Sequence, residues 1–273
     1  MPRKTVMFSI LWLLLLWVSP AAAGSTLQVL QTGDDARGWQ AVGRLELGGG
    51  GFCTGTLIAP DLVLTAAHCL YDTDSAKAID LGRVRFLAGL RNGRAEAYRD
   101  IRRAVVHPRY QDLDADRMTR VANDLALLQL QHPIRLPGLV PFATVSDISA
   151  GDPVDVVSYA REREEAPSLE QSCRVMARRT AILVLSCSVD FGASGAPVFH
   201  VDGGVARIVS VVSAKADSNG QPVALGARVR DEVAVLQARL AADEGVIGPG
   251  VPPLRRFGQG TARGTGGAKF VTP

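Results

Sequence analysis

A chain of 273 residues that is 47% hydrophobic and 21% charged has enough apolar side chain to bury a sizeable core, in one domain or two small ones, which excludes disorder throughout. Its formal charge is only +3, and its Lys and Arg residues are spread rather than gathered. A phosphate-binding stripe is therefore excluded, and no nucleic-acid partner is expected.

The start of the chain reads as an export signal. Arg3 and Lys4 make a basic opening, Val6 to Val18 an apolar stretch, and Pro20-Ala21-Ala22-Ala23-Gly24 a small-residue cleavage site. Residues 1–23 are expected to be removed, leaving a mature chain that begins at or near Gly24 and is secreted or periplasmic. The apolar run is interrupted by Ser9 and falls short of the roughly 20 residues that cross a bilayer. No later stretch is long and apolar enough either, so no stable membrane span is expected after cleavage. Export permits disulfides, and four cysteines can pair in three ways. The expected pairs are Cys53 with Cys69 and Cys173 with Cys187, because each couple brackets a local strand-turn-strand segment that brings its sulfurs within reach. There is no Cys-x-x-Cys, and His68, His107, His132 and His200 are not at ligand spacing, so no metal and no cofactor is expected.

From Leu27 to Arg37 the sequence carries little structural signal. After Trp39 come short apolar runs punctuated by Gly, Pro and Asp: Gln40 to Leu47, Phe52 to Ile58 and Leu62 to Ala66, with Ala59-Pro60-Asp61 as a turn. These have the length and composition of strands. Val84 to Leu90 and Ile101 to Val106 continue the series around a turn at Arg91-Asn92-Gly93, and Leu125 to Leu130 reads as a buried strand. Pro133 to Val145, with three prolines, reads as an extended connection between two halves. Beyond it follow a strand from Pro153 to Tyr159, a polar loop from Arg161 to Glu170, a hairpin from Cys173 to Cys187 turning at Arg178-Arg179, and strands at Pro197 to Val201, Val205 to Val212 and Val223 to Val229. One helix is expected, Asp231 to Glu244, whose Val233, Leu236 and Leu240 share a face. Residues 246–273, Gly- and Pro-rich from Gly248 onward, read as a flexible tail whose Arg255, Arg256, Arg263 and Lys269 would otherwise suit an acidic surface. Many short strands and a midway connector define an all-β chain of two barrels or sandwiches, the first over about 39–132 and the second over about 146–230.

Three polar residues stand out. His68 follows an apolar strand and adjoins Cys69. Asp124 directly precedes Leu125-Ala126-Leu127-Leu128-Gln129-Leu130, where burial would be costly without a donor or a cation to face it. Ser194 lies in Phe191-Gly192-Ala193-Ser194-Gly195-Ala196-Pro197, whose small residues let a substrate backbone approach. There the N–H groups of Gly192 and Ser194 are candidates for an oxyanion hole, typically worth about 3 kcal/mol per donor.

Together these segments resemble the trypsin/chymotrypsin family. Gly51 to Ile58 and Val63-Leu64-Thr65-Ala66-Ala67-His68-Cys69 are similar to its histidine motif, disulfide included. Val105-Val106-His107-Pro108-Arg109-Tyr110 and Asn123-Asp124-Leu125-Ala126-Leu127-Leu128 are similar to its aspartate region, and Gly192 to Val198 to its nucleophile motif. The resemblance implies two six-stranded antiparallel β-barrels with a C-terminal helix. Between them it implies a Ser194, His68, Asp124 triad acting on peptide or protein substrates by the mechanism that template describes. His107 becomes a structural surface residue in that picture, His132 and His200 have no catalytic part, and the protein is expected to act as a monomer.

Two departures bear on activation and specificity. The family's aspartate before the nucleophile is Ala193 here, and no Ile-Val-Gly-Gly start precedes Trp39. An enzyme without that switch is expected, closer to exported bacterial glutamyl-endopeptidase-like or trypsin-like peptidases than to digestive zymogens. Counting six residues back from Ser194 reaches Ser188, a neutral pocket floor, followed by Val189 and Asp190. The substrate-pairing strand falls within Ser210 to Ala214, with Ser210 and Ser213 both fitting. The alternatives are an inactive homologue serving as a binding module, and an esterase, which the absence of a strand-turn-helix elbow disfavours.

Overall fold

The computed structural model describes residues 26–73, 75–145, 147–229 and 231–249, so the signal segment and most of the expected tail lie outside the described residues. In chain order the elements are β1 (Thr26–Val29), β2 (Val42–Glu46), β3 (Phe52–Ala59), β4 (Leu62–Thr65), β5 (Arg85–Ala88), β6 (Ala97–Val106), α1 (Arg117–Ala122) and β7 (Ala126–Leu130). They continue with β8 (Pro153–Ala160), β9 (Arg163–Arg179), β10 (Ile182–Leu185), β11 (Pro197–Asp202), β12 (Val205–Ser218), β13 (Gln221–Arg228), α2 (Glu232–Ala241) and β14 (Val246–Ile247).

Two antiparallel rings result. In the first, β5-β2-β3-β4-β7-β6 closes through β6–β5, and β14 adds to β6. In the second, β8-β9-β10-β13-β12-β11 closes through β11–β8, and β1 adds to β9. Closure removes the free edges that a row of short strands would otherwise expose. The family's two six-stranded barrels and C-terminal helix are thus present, each ring carrying one added strand. The segment after β7 ties the rings together: Ile134 N–H donates to Pro60 O, Phe142 N–H to Leu57 O, and Val145 N–H to Ile208 O. Trp39, Phe142 and Phe199 pack ring against ring beneath it.

Several expectations change. The polar stretch from Arg161 to Glu170 is no loop, since from Arg163 it is the first half of the 17-residue β9. Hydrogen bonding to β8 and to β1 on its two sides holds this polar sequence extended. The weakly patterned N-terminal stretch supplies β1 itself. The β9–β10 turn lies at residues 180–181, not at Arg178-Arg179, both of which pair with β10. A second helix, α1, precedes Asp124. At six residues it is too short for periodicity to reveal, and it starts because the Asp116 carboxylate accepts from Met118 N–H and from Thr119 Oγ1. The tail expected from residue 246 begins later, because Val246 and Ile247 pair with Val105 and Ala104.

His107 is buried, at 2% exposure, rather than on the surface. Its Nε2 lies 2.7 Å from Glu232 Oε2, at the start of α2, and Arg109 donates to the other oxygen at 3.1 Å. Burial holds the imidazole below its ordinary range despite Glu232. This contact and the apolar face of Val233, Leu236 and Leu240 seat α2 against the first ring.

Cys53 is bonded to Cys69 and Cys173 to Cys187, as expected. The first bridge spans 16 residues from inside β3 to the turn that carries His68. Replacing both cysteines by alanine is expected to lower the unfolding free energy by about 3 kcal/mol, the loop-closure figure for a bridge of this span. Urea denaturation checks it, and a loss under about 1 kcal/mol would show that the β3–β4 hairpin already supplies the constraint.

Candidate active site

Asp124 sits where α1 ends and β7 begins. Asn123 caps the helix through Nδ2 to Thr119 O and is held from outside by Arg109 Nε at 3.1 Å. The chain then turns inward, leaving Asp124 only 2% exposed. Its carboxylate meets three donors: His68 N–H to Oδ1 at 2.9 Å, His68 Nδ1–H to Oδ2 at 2.7 Å, and Ser213 Oγ–H to Oδ2 at 2.5 Å. Three donors compensate the burial of a charge that would otherwise be costly.

His68 lies in a 3-10 turn, Ala67–Leu70, directly after β4. With Nδ1 giving its hydrogen to the carboxylate, Nε2 is left to accept a proton from elsewhere. Burial pulls the imidazole down, but the charge and hydrogen bond of Asp124, with Asp112 behind it, outweigh that and raise it above its ordinary value.

The Ser194 loop is assembled by the opposite ring. Thr54 of β3, fully buried, donates its N–H to Ser194 O at 2.8 Å and its Oγ1–H to Gly192 O at 3.0 Å. The same Oγ1 accepts from Tyr159 N–H at 3.0 Å, and Thr65 Oγ1 donates to Thr54 O at 2.8 Å. Gly192 and Gly195 have φ of +95° and +80°. A Cβ on Gly192 would collide with the Phe52 ring, and one on Gly195 with Thr65 Oγ1 and Thr54 O, so only glycine fits either position. The N–H groups of Ala193, Gly195 and Ala196 are taken by Asp190 O, Val212 O and Ala193 O. Among the described residues no hydrogen bond occupies the N–H of Gly192 or of Ser194, the two expected to face an oxyanion.

A hollow of about 330 Å³ opens beside Ser194, walled by Val189, Phe191, Val212 and Ala214, with Arg117, Ser213, Asp190 and Lys215 also on it. It shares Arg117, Ser213 and Ala214 with the smaller hollow that holds His68 and Asp124. Three of the four expected pocket residues, Val189, Asp190 and Ser213, thus lie beside Ser194. Ser188 lies in a neighbouring hollow instead, its N–H held by both oxygens of Glu170. Phe191 N–H and Lys215 hold the Asp190 carboxyl below the usual range, and the Lys215 ammonium stands 3.3 Å away at the rim, so no free charge faces inward from this pair. Phe191 lies between Lys215 and Arg161, whose guanidinium is 4.5 Å from the ring centroid. Of the two candidate serines, Ser213 meets Asp124, whereas Ser210 is fully buried with its hydroxyl on Ala227 O. A bulge between Val212 and Ala214 turns Ser213 toward the site.

Thr54, Glu170 and Lys215 were not legible as site residues. Thr54 lies in the histidine-motif stretch, but its partners in the second ring are 105 to 140 residues away.

A model of the trypsin family matches residues 31–232, and the chain belongs to that family. Among curated proteins it is 26% identical over 151 residues to a glutamyl endopeptidase of Bacillus licheniformis, across 55% of this chain and 46% of that protein. It is 31% identical over 116 residues to venom serine protease 34 of Apis mellifera, across 40% and 28%. The chain spans less than half the length of these relatives. A solved structure of a Glu endopeptidase in complex with MPD superposes with a TM-score of 0.64 at 22% identity, covering 80% of this chain and 97% of that one, a likeness of fold.

Because the folded His68 is raised, it holds its proton longer than the unfolded chain does. The stabilisation is complete below about pH 6.5, the ordinary histidine value, and is lost as pH rises through the folded value. NMR titration of the His68 ring is expected to show a midpoint above 6.5 that falls in Asp124→Asn, and a midpoint unmoved by that substitution would contradict the Asp124 pairing. Thr54→Val strands Tyr159 N–H and Gly192 O and is expected to cost about 1–3 kcal/mol of stability, with Thr54→Ser recovering most of it in urea melts.

Proposed function

We propose that this protein is a secreted serine endopeptidase, with Ser194 as nucleophile, His68 as general base and acid, and Asp124 as the residue that orients and stabilises the imidazolium. The observation that carries this reading is the three-donor anchoring of buried Asp124, which commits His68 Nδ1 and leaves Nε2 to accept a proton, in a hollow that adjoins the one beside the glycine-bounded Ser194. Ser194 Oγ attacks the scissile carbonyl while His68 Nε2 takes its proton. The N–H groups of Gly192 and Ser194 receive the oxyanion, His68 returns the proton to the leaving amine, and water then hydrolyses the acyl-enzyme by the same route.

No switch built on a new N-terminal ammonium is part of this reading. Ala193 is 1% exposed and has no carboxylate to receive one. Thr54, Glu170 and the Gly195 N–H to Val212 O bond hold the loop instead. An extended peptide pairs with the outer edge of β12 beyond Val212, where β13 occupies one side only. The hollow beside Ser194 takes a side chain of medium size against Val189, Phe191, Val212 and Ala214, with Arg117, Asp190 and Lys215 as its charged lining. Residues 1–23 direct export and are removed.

A fluorophosphonate probe is expected to label Ser194 in the mature protein and not in Ser194→Ala. Folded protein that resists labelling would sink this reading in favour of an inactive binding module. Cleavage of an unactivated peptide bond separates a peptidase from an esterase, and Asp124→Asn is expected to lower kcat by about 10⁴-fold at neutral pH.

A further inference from the structure

The outer edge of β12 is free beside Ser194 but is closed a little further on. β11 stops pairing with β12 at Pro197↔Val211, whereas β13 continues to Ser218↔Gln221. Hydrogen-bonded and non-bonded pairs alternate along an antiparallel ladder. Pro222 has no N–H, so Asp217↔Pro222 is a non-bonded pair, Ala216↔Val223 a bonded one, and Lys215↔Ala224 again non-bonded. The N–H and C=O of Lys215 therefore point away from β13, onto the edge where a docked strand would lie. The Lys215 carbonyl is already occupied, because Arg117 Nη2 donates to it at 2.5 Å.

This contact is braced. Arg117 is the first residue of α1, which Asp116 caps. The helix leaves the first ring to pack on the second, with Val121 buried against Ile182 and Leu225, and Met118 and Ala122 beside it with Ala214 and Ala216. Arg120 Nη1 donates to Asp112 O at 3.2 Å and ties down the lead-in.

Resting on the peptidase reading above, we propose that Arg117 caps the pairing edge of β12 at Lys215 and so limits how far a substrate gains from residues N-terminal to the scissile bond. A peptide lying along β12 meets open edge at Ser213, since Ala214 pairs with Leu225 and turns its N–H and C=O toward β13. At the next outward-facing groups, those of Lys215, it either ends or displaces the guanidinium. Arg117 is thus a specificity-determining residue that disfavours long pairing on this side.

The test is a series of amide substrates with one fixed side chain before the scissile bond and one to four residues N-terminal to it, compared in wild type, Arg117→Ala and Arg117→Met. Rates are normalised to the concentration of fluorophosphonate-reactive sites, and Met keeps the stem should Ala unfold the helix. In the wild type, kcat/KM is expected to level off after the second residue. In the variants the ratio of four-residue to two-residue substrates is expected to rise about ten-fold, the scale of one hydrogen bond that no longer has to be displaced. An unchanged ratio, or a wild type that already gains as much from the third residue, overturns the cap. The affinities of the same peptides with a reduced, uncleavable amide test the cap without turnover. Peptides that bind with the expected length dependence but are never cleaved would overturn the peptidase reading alone.

Discussion

Two separately closed rings bring nothing together by themselves, and the site depends on how they are joined. Much of that joining falls to Thr54, a fully buried residue whose N–H, C=O and hydroxyl are all engaged. One set of bonds reaches Gly192 and Ser194 in the second ring, and another reaches Thr65, three residues before His68. A buried threonine with every polar group satisfied is directional in a way that apolar packing is not. The loop that bears the serine is thereby indexed to the strand that leads to the histidine. The aromatic stack of Trp39, Phe142 and Phe199 adds area at the same junction without that directionality.

Asp124 imposes the second constraint. It is presented by a short helix that leans on the second ring, yet its main partner, His68, belongs to the first, and its third donor, Ser213, comes from a bulge in β12. The carboxylate therefore gathers groups from both rings around one buried charge. The layers behind it extend to the C-terminal helix, since Arg109 grips both Asn123 and Glu232 while Glu232 also meets His107.

The departures from the family pattern form a consistent set. Where the resemblance calls for an aspartate before Ser194, this chain has a buried alanine and holds the loop with neutral hydrogen bonds and with Glu170 beneath Ser188. At the rim, Lys215 and Asp190 pair across the mouth of the hollow. An exposed pair of this kind is worth little in stability, and its consequence is the shape and charge of the opening.

The residues proposed to carry the chemistry were legible because their signals are local. His68, Asp124 and Ser194 each lie inside a short motif, the cysteine pairs bracket single hairpins, and alternation between turn residues marked most strands. What remained hidden depends on partners distant in sequence. Polar residues 163–170 became strand because β8 paired with them on one side and β1 took Ser168 to Glu170 on the other. Arg117–Ala122 became helix by packing on the other ring, and His107 was buried by a helix 125 residues away. Ser213 rather than Ser210 meets the aspartate because residues three apart on a strand face opposite ways and the Ser210 hydroxyl is spent on Ala227 O. The sequence by itself thus determined the fold class, the cysteine pairs and the three central residues, since short-range pattern encodes them. Only the tertiary structure decided which serine meets the aspartate, which threonine joins the rings and which arginine reaches Lys215, because each is set by register and burial between segments that no local pattern relates.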